Sequence, residues 1–291
     1  MADTTLTSVA NQIQEFWAPL VDKDLVESFV LPALVETPGS RASVPRMGNT
    51  VRVSQFDERV GENKTIGVDA STFTPEEVTL THVDVEINRR AIFSTVFDDL
   101  VELQSQVSMS DPKLRQVAVR AMERQINSYL YSLSAPTVEQ TSIAAGAFNA
   151  AKLTELGQIA DDALWPEDER YLLVDATYWK ALMDDAVLTS ADFVQDRPVM
   201  RSAQMIERYG WKIIKDTSAA MKDQLNASGG GVAQAFNPNY LEFIIQQQAR
   251  TKISDRHSND EFKMGFSIDK VYGATLGLEG ADKHIVVRTG A

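Results

Sequence analysis

Apolar and polar residues alternate one by one along two stretches, Thr50-Val-Arg-Val-Ser-Gln-Phe56 and Val78-Thr-Leu-Thr-His-Val-Asp-Val-Glu-Ile87. Strict alternation turns every second side chain to the same side, so each stretch is predicted to be a strand with one wet face. Between them, 57–75 is charged and glycine-bearing, with almost nothing apolar to bury. The pattern predicts a two-stranded excursion over 50–90, which at ~3.3 Å per residue could reach on the order of 50 Å. Two strands alone are marginally stable in water. The excursion is therefore expected to lie on another molecule, which points to assembly and away from catalysis.

The period then changes. After Ser110-Asp111-Pro112, a helix start with Asp111 as N-cap and Pro112 in the first turn, apolar residues recur at Leu114, Val117, Ala118, Ala121, Met122, Ile126, Tyr129, Leu130 and Leu133. Arg115, Arg120, Glu123, Arg124 and Asn127 are placed on the opposite, polar face. This spacing predicts one amphipathic helix over Asp111–Leu133, roughly 35 Å long.

Elsewhere the signals are shorter. Apolar residues in 1–35 (Ile13, Phe16, Trp17, Leu20, Leu25, Phe29, Val30) have scattered helical spacing, with Pro19 and Pro32 as interruptions. They fit either a short helix on its own domain or an arm that docks on a neighbouring subunit. Thr37–Asn49 reads as turn and extended chain, Ala91–Phe97 as a buried strand or turn, and Asp98–Gln106 as a short helix. Ser134–Phe148 reads as a loop, and Asn149–Trp165 as a second amphipathic helix stopped by Pro166. Tyr171–Asp175 is a fully apolar strand, Ala176–Asp184 a helix, Trp211–Lys215 a strand and Ala227–Val232 a flexible glycine loop. Strands are predicted at Tyr240–Ile245, leading into Gln246-Gln-Gln, then at Glu261–Ser267, Lys270–Leu278 and His284–Val287. The middle is α/β-like and the ends supply strands around the long helix. No internal repeat is visible.

Composition narrows the function classes. With 291 residues, 44% hydrophobic and 24% charged, the chain is that of an ordinary globular protein. No apolar run approaches the ~20 residues that span a bilayer, and no Lys or Arg precedes Lys23, so neither a membrane span nor a secretory signal is expected. The absence of cysteine removes disulfides, thiolate metal sites and cysteine nucleophiles. A net charge of −13 argues against gripping nucleic acid, which depends on Lys and Arg neutralising phosphates. A wall that surrounds nucleic acid tolerates such a balance.

Candidate chemistry is thin. Asp161, Asp162, Glu167, Asp168 and Glu169 could pair as acid and base, but they flank a helix end where solvated acids are ordinary. Asp255-Arg-His257-Ser-Asn-Asp260-Glu261 is the one histidine close to several carboxylates. Its spacing matches no standard metal motif, and a charged connector between strands is the plainer reading. A soluble α/β metal-dependent hydrolase using Asp255, His257, Asp260 and Glu261 is nonetheless a distinct alternative. His82 and His284 read as surface or packing residues. Gly229-Gly-Gly231 lacks the following Lys-Ser/Thr and helix start of a phosphate loop. No catalytic, cofactor or metal residue is assigned.

Two local patterns carry a resemblance. Trp165-Pro-Glu-Asp-Glu-Arg-Tyr-Leu-Leu-Val-Asp-Ala-Thr-Tyr-Trp179 and Phe262-Lys-Met-Gly-Phe-Ser-Ile-Asp-Lys-Val-Tyr-Gly273, in this order of elements, resemble the major capsid proteins of tailed bacteriophages, which share the Hong Kong 97 capsid fold. The resemblance implies an α+β fold with an N-terminal arm at 1–35, a peripheral domain at 36–49 and 91–133 with its spine helix, and an extended loop at 50–90. An axial domain would follow at 134–247, and peripheral return strands at 248–291. It implies self-assembly into hexamers and pentamers of an icosahedral shell around double-stranded DNA, built in the host cytoplasm and located in the virion, with no cofactor. An encapsulin-like compartment is the alternative within the same fold. No long charged segment is fused at the N-terminus, so a separate scaffolding protein is expected, with no N-terminal cleavage, together with a portal and a decoration or cement protein. Some relatives cross-link a loop lysine to an asparagine; Lys64 lies in the corresponding loop, but no partner asparagine is identified. Arg59, Glu62 and Lys64 in the excursion, and Phe16 and Trp17 in the arm, are the expected intersubunit contacts. Arg115, Arg120 and Arg124 are the candidates for the inner surface, or for local pairing with Glu123 and nearby carboxylates.

Overall fold

The computed structural model describes residues 30–35, 49–56, 80–98, 112–134, 139–140, 144–189, 206–226, 229–258, 261–278, 280 and 282–289. The first element is a short helix, α1 (Val30–Val35), which buries Leu31 and Val35. Pro32, expected as an interruption, sits in its first turn, where a missing N–H costs nothing.

The two alternating legs are strands β1 (Thr50–Phe56) and β2 (Leu80–Glu86), paired antiparallel without a slip from Thr50–Glu86 to Phe56–Leu80. Strand β3 (Arg89–Asp98) follows, and then the long helix α2 (Pro112–Ser134). The expected helix over Asp98–Gln106 and the N-cap Asp111 lie outside the described residues. Strand β9 (Leu241–Ser258) and strand β10 (Glu261–Leu276) form a long hairpin, and β3 joins it in the order β3-β10-β9. Ala118, Met122 and Ile126 of α2 pack with Ala91, Phe266, Ile268 and Ala274 of this sheet.

A second, six-stranded sheet has the order β4-β11-β8-β5-β7-β6. Its strands are β4 (Glu139–Gln140), β5 (Tyr171–Val174), β6 (Ile206–Arg208), β7 (Trp211–Lys215), β8 (Val232–Phe236) and β11 (His284–Arg288). Helices cover both faces, which is why Tyr171-Leu-Leu-Val reads as continuously apolar. Leu172 and Val174 face α3 (Ala150–Asp162) and α4 (Ala176–Asp184), beside Leu153, Leu156, Tyr178 and Leu182. Leu173 faces α2 and α6 (Ala219–Leu225), beside Tyr131, Met221 and Leu225. A four-residue helix, α5 (Ala186–Thr189), completes the middle. Side chains cap the helices as their sequences suggest. Asn149 accepts from Lys152 N at the start of α3, and Asp175 accepts from the Thr177 and Tyr178 amides at the start of α4.

Several expectations are corrected. The strand expected at Tyr240–Ile245 runs on through Gln246–Gln248 to Ser258, so Asp255 and His257 belong to β9 and are not in a connector. The two strands expected at Glu261–Ser267 and Lys270–Leu278 are one, β10. Register shifts between Asp269 and Tyr272 reset the alternation there, which is where the period-two pattern broke. Strand β11 pairs with β8, so 248–291 divides between two sheets and is not one set of return strands. Part of the loop expected at Ser134–Phe148 is β4, and Val232 opens β8.

Candidate assembly surfaces

The ribbon β1–β2 is fixed at one end. Val85, Ile87 and Ile244 form a small core, closed by Val51, Val53 and Val271. Ile87 N donates to Asn49 O at 2.6 Å, locking the two legs where they enter the body. The opposite ribbon face is polar, with an exposed Arg52–Asp84 ion pair at 2.9 Å, which serves register more than stability. Burial then fades along β2, from Val85 at 0% exposure to Leu80 at 57%. The ribbon rises off its own body. Arg59, Glu62 and Lys64 lie beyond it, outside the described residues, as do Phe16 and Trp17.

The Tyr272-Gly273 pair builds this root. Tyr272 is buried edge-on between Tyr129 and Phe243. A Cβ on Gly273 would stand 2.3 Å from Glu86 O, so only glycine lets the end of β2 cross β10 this closely. Arg89 adds its guanidinium over the Tyr129 ring at 4.6 Å.

The sheet face turned away from α2 is cationic. Register sets Ile92 opposite Asp269 and Asp269 opposite Arg250, and likewise Ser94, Ser267 and Lys252 in a row. Asp269 takes hydrogen bonds from Arg250 Nε at 2.6 Å and Nη2 at 2.9 Å, and from Arg90 Nε at 2.7 Å. Hydrogen bonding to Arg250, then to Arg90, holds its carboxyl below the ordinary range despite partial desolvation. Both arginines stay about half exposed, with side-chain exposures of 54% and 56%.

Helix α2 corrects the expected faces. At ~100° per residue, Arg115 lies roughly 140° from Arg120 and 180° from Arg124 around the axis, so the three do not share a face. Arg115 and Arg124 are exposed and Arg120 is half-buried. Val117, expected in the core, is 50% exposed. Asn127, expected on the wet face, is fully buried, and neither of its amide atoms has a partner. From Ile126 to its end, α2 has no exposed residue. Tyr131 OH donates to the Asp216 carboxylate, and Ser134 and Gln234 both reach Tyr240 OH at 3.2 Å. Burial, then the Asp216 charge, pushes the Tyr131 phenol well up; burial pushes Tyr240 up to about 12.

The remaining chemical candidates stay apart. Asp161, Asp162, Glu167, Asp168 and Glu169 are all exposed. Asp161 pairs at 2.7 Å with the buried Arg170, whose guanidinium also holds the Trp165 and Pro166 carbonyls and so closes the turn after α3. His82 is exposed, while His284 is buried with Nδ1 2.5 Å from Gly280 O. The backbones of Asp255 and His257 lie opposite Met264 and Phe262, Glu261 opens β10, and Asp260 is outside the described residues. Among the described residues no three His, Asp or Glu side chains could jointly hold a metal ion. Nor, among them, is any helix long and apolar enough to cross a membrane. The glycine loop expected to be flexible ends in a packed turn. Gly231 N donates to Thr289 Oγ1 at 2.8 Å, and a Cβ there would stand 2.5 Å from the Tyr178 ring.

No protein family and no curated protein matches the sequence. Solved structures match along the whole chain. A structure from Mycobacterium phage Che8 agrees with a TM-score of 0.71 at 17% identity, covering 100% of both chains. The capsid structure of cyanophage P-SCSP1u gives 0.70 at 11% identity, over 99% of this chain and 96% of that one. The capsid asymmetric unit of cyanophage Pam1 gives 0.68 at 12% identity, over 100% of both. The chain has the α+β fold of phage capsid subunits.

Proposed function

We propose that this chain is a major capsid protein of a tailed phage, a structural protein and not an enzyme, which closes with copies of itself into an icosahedral shell. The observation that carries this reading is the fold agreement with phage capsid structures over the full length of the chain. Full-length matches to phage structures favour a viral shell over a cargo-holding compartment. The shell would consist of pentamers and hexamers around double-stranded DNA, with scaffolding, portal and decoration proteins as separate partners in the host cytoplasm.

A ribbon fixed at its root and exposed at its far end supports intersubunit contact by the excursion, with Arg59, Glu62 and Lys64 near its tip. Phe16 and Trp17 are proposed to dock the arm on a neighbour. The proposed inner-wall role narrows to Arg120 and Arg124, since Arg115 projects from the other side of α2. The division into arm, excursion, peripheral and axial parts is proposed with one change: β11 belongs with the axial sheet.

Sedimentation velocity on the full chain, expressed alone and with the scaffolding gene of its phage, tests the reading. A fast, narrow species far beyond any small ring is expected. Sedimentation as monomers or single rings under both conditions would refute it.

A further inference from the structure

Among the described elements, the chain passes three times between the three-stranded sheet with its helix α2 and the six-stranded sheet. It does so from α2 into β4, from β8 into β9 and from β10 into β11. All three passages converge on Tyr240. Its hydroxyl meets Ser134, the last residue of α2, and Gln234 of β8, each at 3.2 Å. Its carbonyl accepts from Gly277 N, just after β10, at 2.8 Å. Its ring lies 5.1 Å from that of Phe236 and 4.9 Å from that of His284, which opens β11. The fit leaves no slack, since a Cβ at Gly280 would stand 2.3 Å from Tyr240 O.

His284 is the group at this junction that can change charge near neutral pH. It is 1% exposed, opposite Phe236 in the ladder, with Nδ1 2.5 Å from Gly280 O. A carbonyl only accepts, so Nδ1 carries the proton of the neutral ring. A second proton would place a full charge in the core beside Tyr240 and Phe236. Burial disfavours that charge more than the Gly280 and Ser134 backbone favours it. The other titratable groups packed about the junction are Tyr240, Tyr131 with the Asp216 carboxylate, and Tyr171, which stacks on Phe236. Tyr131 and Tyr240 are pushed up, away from this range. Next to His284 in the chain, Asp282 is exposed and Lys283 half-buried.

We infer that Tyr240 and His284 form a latch that holds the two sheets together at neutral pH and opens when His284 takes up a proton. The open form frees the six-stranded sheet to turn against the three-stranded one, with both ladders intact. The sign follows from linkage. The open form binds the proton at the ordinary value and the latched form only below it, so opening rises as pH falls below about 6.5. The latch belongs to the single subunit, so it stands or falls apart from the shell reading.

Hydrogen exchange on the full chain tests it, at pH 7.5 and at pH 5 with labelling times matched to intrinsic rates. One linked proton raises opening by at most about tenfold per pH unit. The amides of Asn237, Tyr240, Gly277 and Gly280, all bonded to backbone within the junction, should exchange on the order of tenfold faster at pH 5. The β3–β10 ladder should keep its protection. His284→Phe, whose ring cannot titrate, should remove the difference between the two pH values. Tyr240→Phe, which loses both hydroxyl contacts, should loosen the same amides already at pH 7.5. Loosening of both sheets together, an unchanged pH response in His284→Phe, or full protection in Tyr240→Phe would overturn the latch. Should His284→Phe not fold, the His284 ring is titrated by NMR in the natural chain. A midpoint below about 6.5 supports the latch, and one at or above it overturns the proposal.

Discussion

Gly273 is the residue with least freedom to change. A methyl group there would meet Glu86 O at 2.3 Å, and backbone on both sides leaves neither strand free to move alone. Gly273→Ala is expected to cost about 1–3 kcal/mol, in the range of an overpacked core, and to speed proteolysis near Ile87; unchanged denaturation and proteolysis would contradict the crossing. His284 sets a pH dependence. Burial holds its imidazole below the ordinary 6.5, opposed by hydrogen bonds to the Gly280 and Ser134 backbone. The unfolded chain takes up the proton at higher pH, so the stability due to neutral His284 is full above about pH 6.5 and is lost as pH falls through the folded value. Urea midpoints measured from pH 7.5 to 5 should fall more steeply for the natural chain than for His284→Leu, and parallel slopes would refute this. Little of this was legible in the sequence. Tyr272-Gly273 stood out as a pattern, but the close crossing that requires the glycine joins residues far apart in the chain. Asn127 misled because its period placed it on the wet face, whereas α6 and the second sheet bury the end of α2 on nearly every side.

Elements with a strong period were legible: α2, the two ribbon legs, α3, β5 and α4. Those missed have physical reasons. In β8, Gln234 interrupts the apolar run yet is buried, its amide bonded to Tyr240 OH. The seven-residue α6 is too short to show a period and has no side-chain cap at Ser218. β10 looked divided because the ladder shifts register near Asp269 and resets the alternation, and β9 looked short because it runs on into the polar Gln246-Gln-Gln. Two elements carry expected outcomes. Deleting 58–73 should leave a cooperatively folded subunit, because the small core of Val85, Ile87 and Ile244 anchors the ribbon at its other end. That subunit should assemble poorly, and normal particles from it would contradict the role of the excursion. On α2, Arg120→Glu with Arg124→Glu should still yield empty shells but retain less genome, measured as the ratio of filled to empty particles on a density gradient. Normal packaging by the double variant, or failure to fold, would end the inner-wall proposal.

For the whole molecule, the reading proposed above rests on the fold. Two sheets share one core across α2, the ribbon leaves the body from a built root, and among the described residues no three His, Asp or Glu side chains could hold a metal ion. On the proposed reading, such a chain works only among copies of itself. Composition already pointed there, since −13 argues against a nucleic-acid grip but suits a wall. What composition could not show is which surfaces meet, because that depends on the register of β3, β10 and β9, which no local pattern encodes. Cryo-electron microscopy of the particles formed by the full chain with its scaffolding protein is the most direct test. The account predicts closed icosahedral shells of fivefold and sixfold capsomers, with the ribbon of each subunit lying on a neighbour. Monomers, single rings or open sheets with no closed shell would contradict it.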